Sequence, residues 1–180
     1  MMHERLSKDE VMLLRSLARQ VAEIAEDARW KQKEALWKKK NALQKTRPLI
    51  MCSPQGGWED MIPPESYVIQ DPLFGWYERN LKRLIYRNVH LQDDEVITGE
   101  LYVPFRTHIT DWIKRNERPY VTDTHRAGTF HPVILETGDL QKMRYPELTV
   151  DEAGSNEDFK LAQEVFGEHL QVIQGEPFCS

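Results

Sequence analysis

From Met1 to Arg47 the chain contains neither glycine nor proline, and Pro48 is the first residue that cannot continue a helix. Within that stretch Ser7 and Glu10 form a capping-box pair, in which each side chain satisfies a free backbone N–H at a helix start. Val11, Leu14, Leu17, Ala18, Val21, Ile24, Ala25 and Ala28 recur at three and four residues and make one apolar stripe. The spacing predicts helix over 7–45, either continuous or bent near Asp27–Arg29, ending where Arg47 precedes proline. So long a helix at the start confines the rest of the fold to about 130 residues.

Those residues alternate in character. Leu49 to Cys52 is a short apolar run, expected as a buried strand, with Cys52 a small core residue. Ser53-Pro54-Gln55-Gly56-Gly57 is a loop. Asp71-Pro72 then opens a helix whose buried face is predicted as Leu73, Trp76, Tyr77, Leu81, Leu84 and Ile85. Glu95 to Phe105 reads as strand: Ile97, Leu101 and Val103 point one way, Val96, Thr98, Glu100 and Tyr102 the other. A carboxylate and a phenol on one strand face mark that face as other than plain core. Thr110–Asn116 is expected as a short helix and Leu140–Val150 as connector. Ser155 is expected to cap a helix reaching Phe166, and Leu170–Gln174 to be a third strand. Strands separated by helices imply crossovers and a mostly parallel sheet, an α/β fold.

Charge is unevenly distributed. Eight bases and one acid lie between Arg29 and Arg47, against seven acids and one base from Asp151 onward, in a chain of net charge −5. The mild overall acidity argues against nucleic acid, and the basic helix, with Trp30 and Trp37, reads as a solvated face whose aromatics pack on the protein. No apolar run approaches the ~18 residues of a membrane span. No signal-peptide stretch opens the chain, and two cysteines, Cys52 and Cys179, make no disulfide framework. A cytoplasmic setting is expected. His125 and His131, with Asp123, match no standard zinc spacing, so no metal site is assigned.

Arg47-Pro48-Leu49-Ile50-Met51-Cys52, Asp94-Glu95-Val96-Ile97 through Val103-Pro104, and Phe166-Gly167-Glu168 with the strand after it occur in an order that resembles the uroporphyrinogen decarboxylase-like superfamily. That superfamily joins porphyrinogen decarboxylases and corrinoid-linked methyltransferases. The resemblance covers roughly residues 30–180 and implies the N-terminal portion of a (β/α)8 barrel, residues 47–180, preceded by a helical extension, residues 1–46. A whole barrel needs ~250 residues, so the three expected strands imply a partial one, inactive alone. Uncovered barrel edges then favour self-association.

The resemblance implies a small-molecule substrate. Glu100 and His108 are expected as catalytic acid–base groups, with Tyr102, Arg106, Gln55 and Gly56 binding substrate. The loop after the first strand, Ser53 to Trp58, lacks the arginines with which the decarboxylase holds its substrate's carboxylates. The methyltransferase branch is therefore favoured over porphyrinogen decarboxylation, and implies a corrinoid-protein partner and a zinc ion held by residues of the absent half. The alternative is a self-contained α/β protein that docks a partner through its first helix and basic segment.

Overall fold

A computed structural model of the chain describes residues 5–112 and 134–176. The short helix expected over Thr110–Asn116 falls largely outside these residues, as do Asp123, His125, His131 and Cys179. The chain divides into two compact units, residues 1–104 with 156–180, and residues 105–155.

The first unit is mainly helical. Helix α1 (Lys8–Ala25) starts on the expected box, with the Glu10 N–H donating to Ser7 Oγ and the Ser7 N–H donating to the Glu10 carboxylate. Val11, Leu14, Leu17, Ala18 and Val21 are buried along one stripe. No glycine or proline breaks the helix, yet α1 stops, and α2 (Arg29–Asn41) begins after a turn. Side chains cause the break. Asp27 accepts from the Arg29 N–H, while the buried Trp30 donates its indole N–H to the Ile24 carbonyl at the α1 end, which also accepts from the Asp27 N–H. A short helix α3 (Trp58–Met61) follows a 3-10 turn at Gln55–Gly57.

Helix α4 (Pro72–His90) follows the sequence rule closely: the Asp71 carboxylate accepts from the Leu73 and Phe74 N–H groups, and Pro72 fills the first turn. It packs against α1 through Phe74, Tyr77 and Leu81. Trp76, expected on this buried face, is about half exposed, and the fully buried Glu78 stands on the inner side instead. Gly75 is required there, since a Cβ would lie 2.7 Å from the Ile69 carbonyl oxygen.

Strand β1 (Glu100–Val103) pairs in parallel with β4 (Gln171–Gln174), in the register Glu100↔Gln171 to Val103↔Gln174. Helix α5 (Glu152–Phe166) precedes β4, and its Leu161, Ala162, Val165 and Phe166 are core residues. Its first turn belongs to the second unit. That unit holds an antiparallel pair, β2 (Arg106–Ile109) with β3 (Leu148–Asp151).

Three expectations are corrected here. Leu49–Cys52 forms no strand; Ile50, Met51 and Cys52 are exposed, so Cys52 is not a core residue. The expected connector contains β3, paired antiparallel, so the sheets among the described residues are one parallel and one antiparallel pair, and no partial barrel is formed by them. Ser155 does not cap its helix: α5 starts at Glu152, the Asp151 carboxylate accepts from the Gly154 N–H, and Ser155 is buried within the first turn. The fold is mixed helix and strand. No helix among the described residues is long and apolar enough to cross a membrane.

Candidate functional site

Alternation along β1 separates two faces. Leu101 and Val103 are buried under the helices, whereas Glu100 is exposed and Tyr102 half-buried. Parallel register places Gln171 and Ile173 of β4 beside Glu100 and Tyr102, and Val172 with the core. The outward face of the pair thus carries a carboxylate, a phenol, an amide and one aliphatic side chain.

Two of the expected site residues meet directly on it: the Tyr102 hydroxyl donates to Glu100 at 2.9 Å. That hydrogen bond, with burial and the carboxylate's charge adding to it, raises the Tyr102 hydroxyl above its ordinary value. A phenol held neutral beside a carboxylate presents a donor and an acceptor side by side, which suits binding a polar substrate. The strand is held from behind. Tyr77 of α4 donates its hydroxyl to the Tyr102 carbonyl at 2.9 Å, and its own ionisation is suppressed by burial and by the charges of Asp158 and Glu176.

Arg106 and His108 belong to the second unit. Arg106 lies 3.9 Å from Asp151, and its backbone N–H donates to Ser155 Oγ, which donates in turn to the Asp151 carbonyl. His108 is exposed, opposite Thr149 in the β2–β3 ladder, and its carbonyl accepts from Thr149 Oγ1. Gln55 and Gly56 are exposed in the 3-10 turn, with Gln55 at φ 49°. Among the described residues no hydrogen bond or ion pair joins Gln55 or Gly56 to Glu100 or Tyr102.

The acids that organise the neighbouring chain were not singled out from sequence. Asp94 accepts from the Ile50 N–H and from both terminal nitrogens of Arg47, while its own N–H donates to the Ile50 carbonyl. The Arg47 guanidinium, then the Ile50 N–H, holds the Asp94 carboxyl well below the usual carboxylate range. Asp93 accepts from the Cys52 N–H and pairs with Arg87, whose guanidinium also donates to the Cys52 carbonyl and pairs with Glu95 at 2.8 Å. Two adjacent aspartates therefore replace a neighbouring strand for residues 50–52. The Asp-Asp dipeptide after a helix of apolar periodicity was the available sign, but its partners lie more than 40 residues upstream.

Among the described residues no group of three or more His, Cys, Asp and Glu side chains converges to hold a metal ion. No family model, curated protein or solved structure matches the chain.

Proposed function

We propose that the β1–β4 pair is the substrate-facing wall of a β/α cavity of the uroporphyrinogen decarboxylase-like kind, in a protein of methyl-transfer type, and that the chain does not turn over alone. The single supporting observation is the two-faced parallel pair: helices cover one side, and the hydrogen-bonded Glu100 and Tyr102 stand on the other. Parallel pairs preceded by a helix are the building unit of such barrels, whose chemistry sits towards the strands' C-terminal ends; Tyr102 stands nearer that end of β1, and Glu100, the strand's first residue, connects to it through their hydrogen bond. In this reading Glu100 orients the acceptor or takes its proton, and Tyr102 holds Glu100 in place. A bound corrinoid supplies the methyl group. No step is assigned to zinc, since the described residues hold no ligand set. Porphyrinogen decarboxylation is disfavoured because the Ser53–Trp58 loop has no arginine for the substrate's carboxylates.

The test follows loss of the cobalt–methyl absorbance of methylcobalamin with a thiol acceptor, using the chain alone and the chain co-expressed with the C-terminal half of such a barrel. Transfer that needs both halves, and falls about tenfold or more with E100Q, is expected. Turnover by the chain alone above the thiol background, or no transfer with both halves present, contradicts the proposal.

A second reading, partner docking by a self-contained protein, draws on α2, where Lys31, Lys38, Lys39 and Lys40 are all exposed. Binding of an acidic peptide that weakens with salt and with K38Q/K39Q/K40Q supports it; salt-independent binding counts against it.

A further inference from the structure

Away from the β1–β4 pair, within the first unit, lies a cleft of about 390 Å³ between α4 and the segment 58–72. Its walls include Trp58, Ile62, Tyr67 and Ile69, and two cations, Arg79 and Arg83, reach it from α4. These arginines are four residues apart, hence neighbours on one helix face. Neither forms an ion pair with a carboxylate among the described residues, although most of the basic side chains around them do. Lys82, between them in sequence, is committed to Glu78 and to the Ser66 carbonyl. Of the two acids at the cleft, Asp71 is taken up by Arg5 at 2.8 and 3.0 Å and by capping α4, which leaves Glu59 on the exposed side.

Arg83 is held in place by aromatic contacts. The Arg83 guanidinium lies over the Trp58 ring, 5.3 Å from its centroid, and Tyr86 meets the same ring edge-on at 6.1 Å. Two polar atoms shielded from solvent have no partner on these walls, Arg83 Nε and Tyr67 Oη. Buried donors without acceptors are rare, because each forfeits the hydrogen bond it had with water. Surplus positive charge beside apolar side chains is what a planar organic anion would complement: guanidinium groups match a carboxylate's two oxygens, and the indole and isoleucine side chains match an aromatic body.

We propose that this cleft binds an aromatic carboxylate, with Arg79 and Arg83 meeting the carboxylate and Trp58 and Ile62 packing on the ring. The proposal is independent of the β1–β4 reading. Isothermal titration of the full chain with 2-naphthoate, its neutral amide and inorganic phosphate tests it. The acid is expected to bind at roughly 10 µM to 1 mM and the amide about tenfold more weakly. R79Q and R83Q are each expected to weaken the acid about fivefold or more, and K160Q on α5, an exposed cation with no part in either reading, to leave it unchanged. The Trp58 indole N–H resonance, assigned with W58F, should shift on binding. If thermal melts show R83Q unfolded, R79Q decides. No binding of the acid, equal binding of acid and amide, phosphate binding as tightly as the acid, or unchanged affinity in folded R79Q overturns the proposal.

Discussion

A carboxylate with no exposed surface must find several donors to remain in a protein interior, and Glu78 finds three. The Val68 and Ile69 N–H groups donate to it at 3.1 and 3.0 Å, and Lys82 at 2.7 Å, so one side chain of α4 pins the loop that precedes the helix. E78A leaves these donors unmatched and is expected to cost about 3 kcal/mol, read from the urea midpoint at constant slope. E78Q keeps an acceptor and the shape and should cost less. A loss below about 0.5 kcal/mol in E78A would show that water replaces the carboxylate freely. Asp94 gives the molecule a pH dependence of known sign. Its folded-state carboxyl is held below the unfolded value of about 3.9, so its stabilising contribution is present above that value and fades as pH falls beneath it. The protection factor of the Ile50 amide, its exchange relative to the intrinsic rate at each pH, should therefore fall on acidification below about pH 4, and D94N should lower it at neutral pH as well. Exchange at Ile50 that is unchanged in D94N would remove Asp94 from this role. Glu78 was not singled out from sequence, where the inner face was expected to be Leu73, Trp76, Tyr77, Leu81, Leu84 and Ile85; an apolar stripe does not reveal which backbone groups will draw in a charged neighbour.

Helix α1 is the element most fully legible beforehand, because its start is encoded in residues three apart and its inner face in a repeat of three and four. Leu14, fully buried against α4, is the natural probe: L14A should lower stability by about 3 kcal/mol, measured by thermal or urea melting, and a change under about 1 kcal/mol would mean the site collapses around the smaller side chain. The join between α4 and β1 is tested by Y77F, which removes the hydroxyl donated to the Tyr102 carbonyl and should cost about 1 kcal/mol. Strands were read less well. The alternation at Ile97, Leu101 and Val103 matches their burial, and with it the outward placement of Glu100 and Tyr102. Leu49–Cys52, apolar enough for a buried strand, is instead an exposed extended segment bonded to aspartate side chains. β3 escaped notice although Leu148-Thr149-Val150-Asp151 alternates apolar with polar, because a run of four is too short to tell a strand from a connector, and all four residues are exposed.

Taken together, the described residues leave strand edges and apolar side chains outside. β1 and β4 each have one neighbour, and Ile50 and Met51 are 65% and 58% exposed. Open edges beside exposed aliphatic groups are templates for association. Size-exclusion chromatography is expected to show concentration-dependent self-association that I50K/M51K reduces; a monomer at all concentrations with a sharp cooperative melt would favour the self-contained reading. The candidate residues divide in the same way as the chain. Glu100 and Tyr102 fall on one strand face two residues apart, a relation set by the pleat. The Arg106 and His108 strand takes its ladder partner about forty residues further on. Helix starts, helix inner faces and the two sides of β1 could be read from sequence because each depends on neighbours within four positions. The α1–α2 break, which joins groups two and six residues apart, was one of the two outcomes the sequence left open. The aspartate tether of residues 50–52, the β2–β3 pairing and the arginine cleft emerge only on folding, since each joins groups distant along the chain whose meeting depends on tertiary packing.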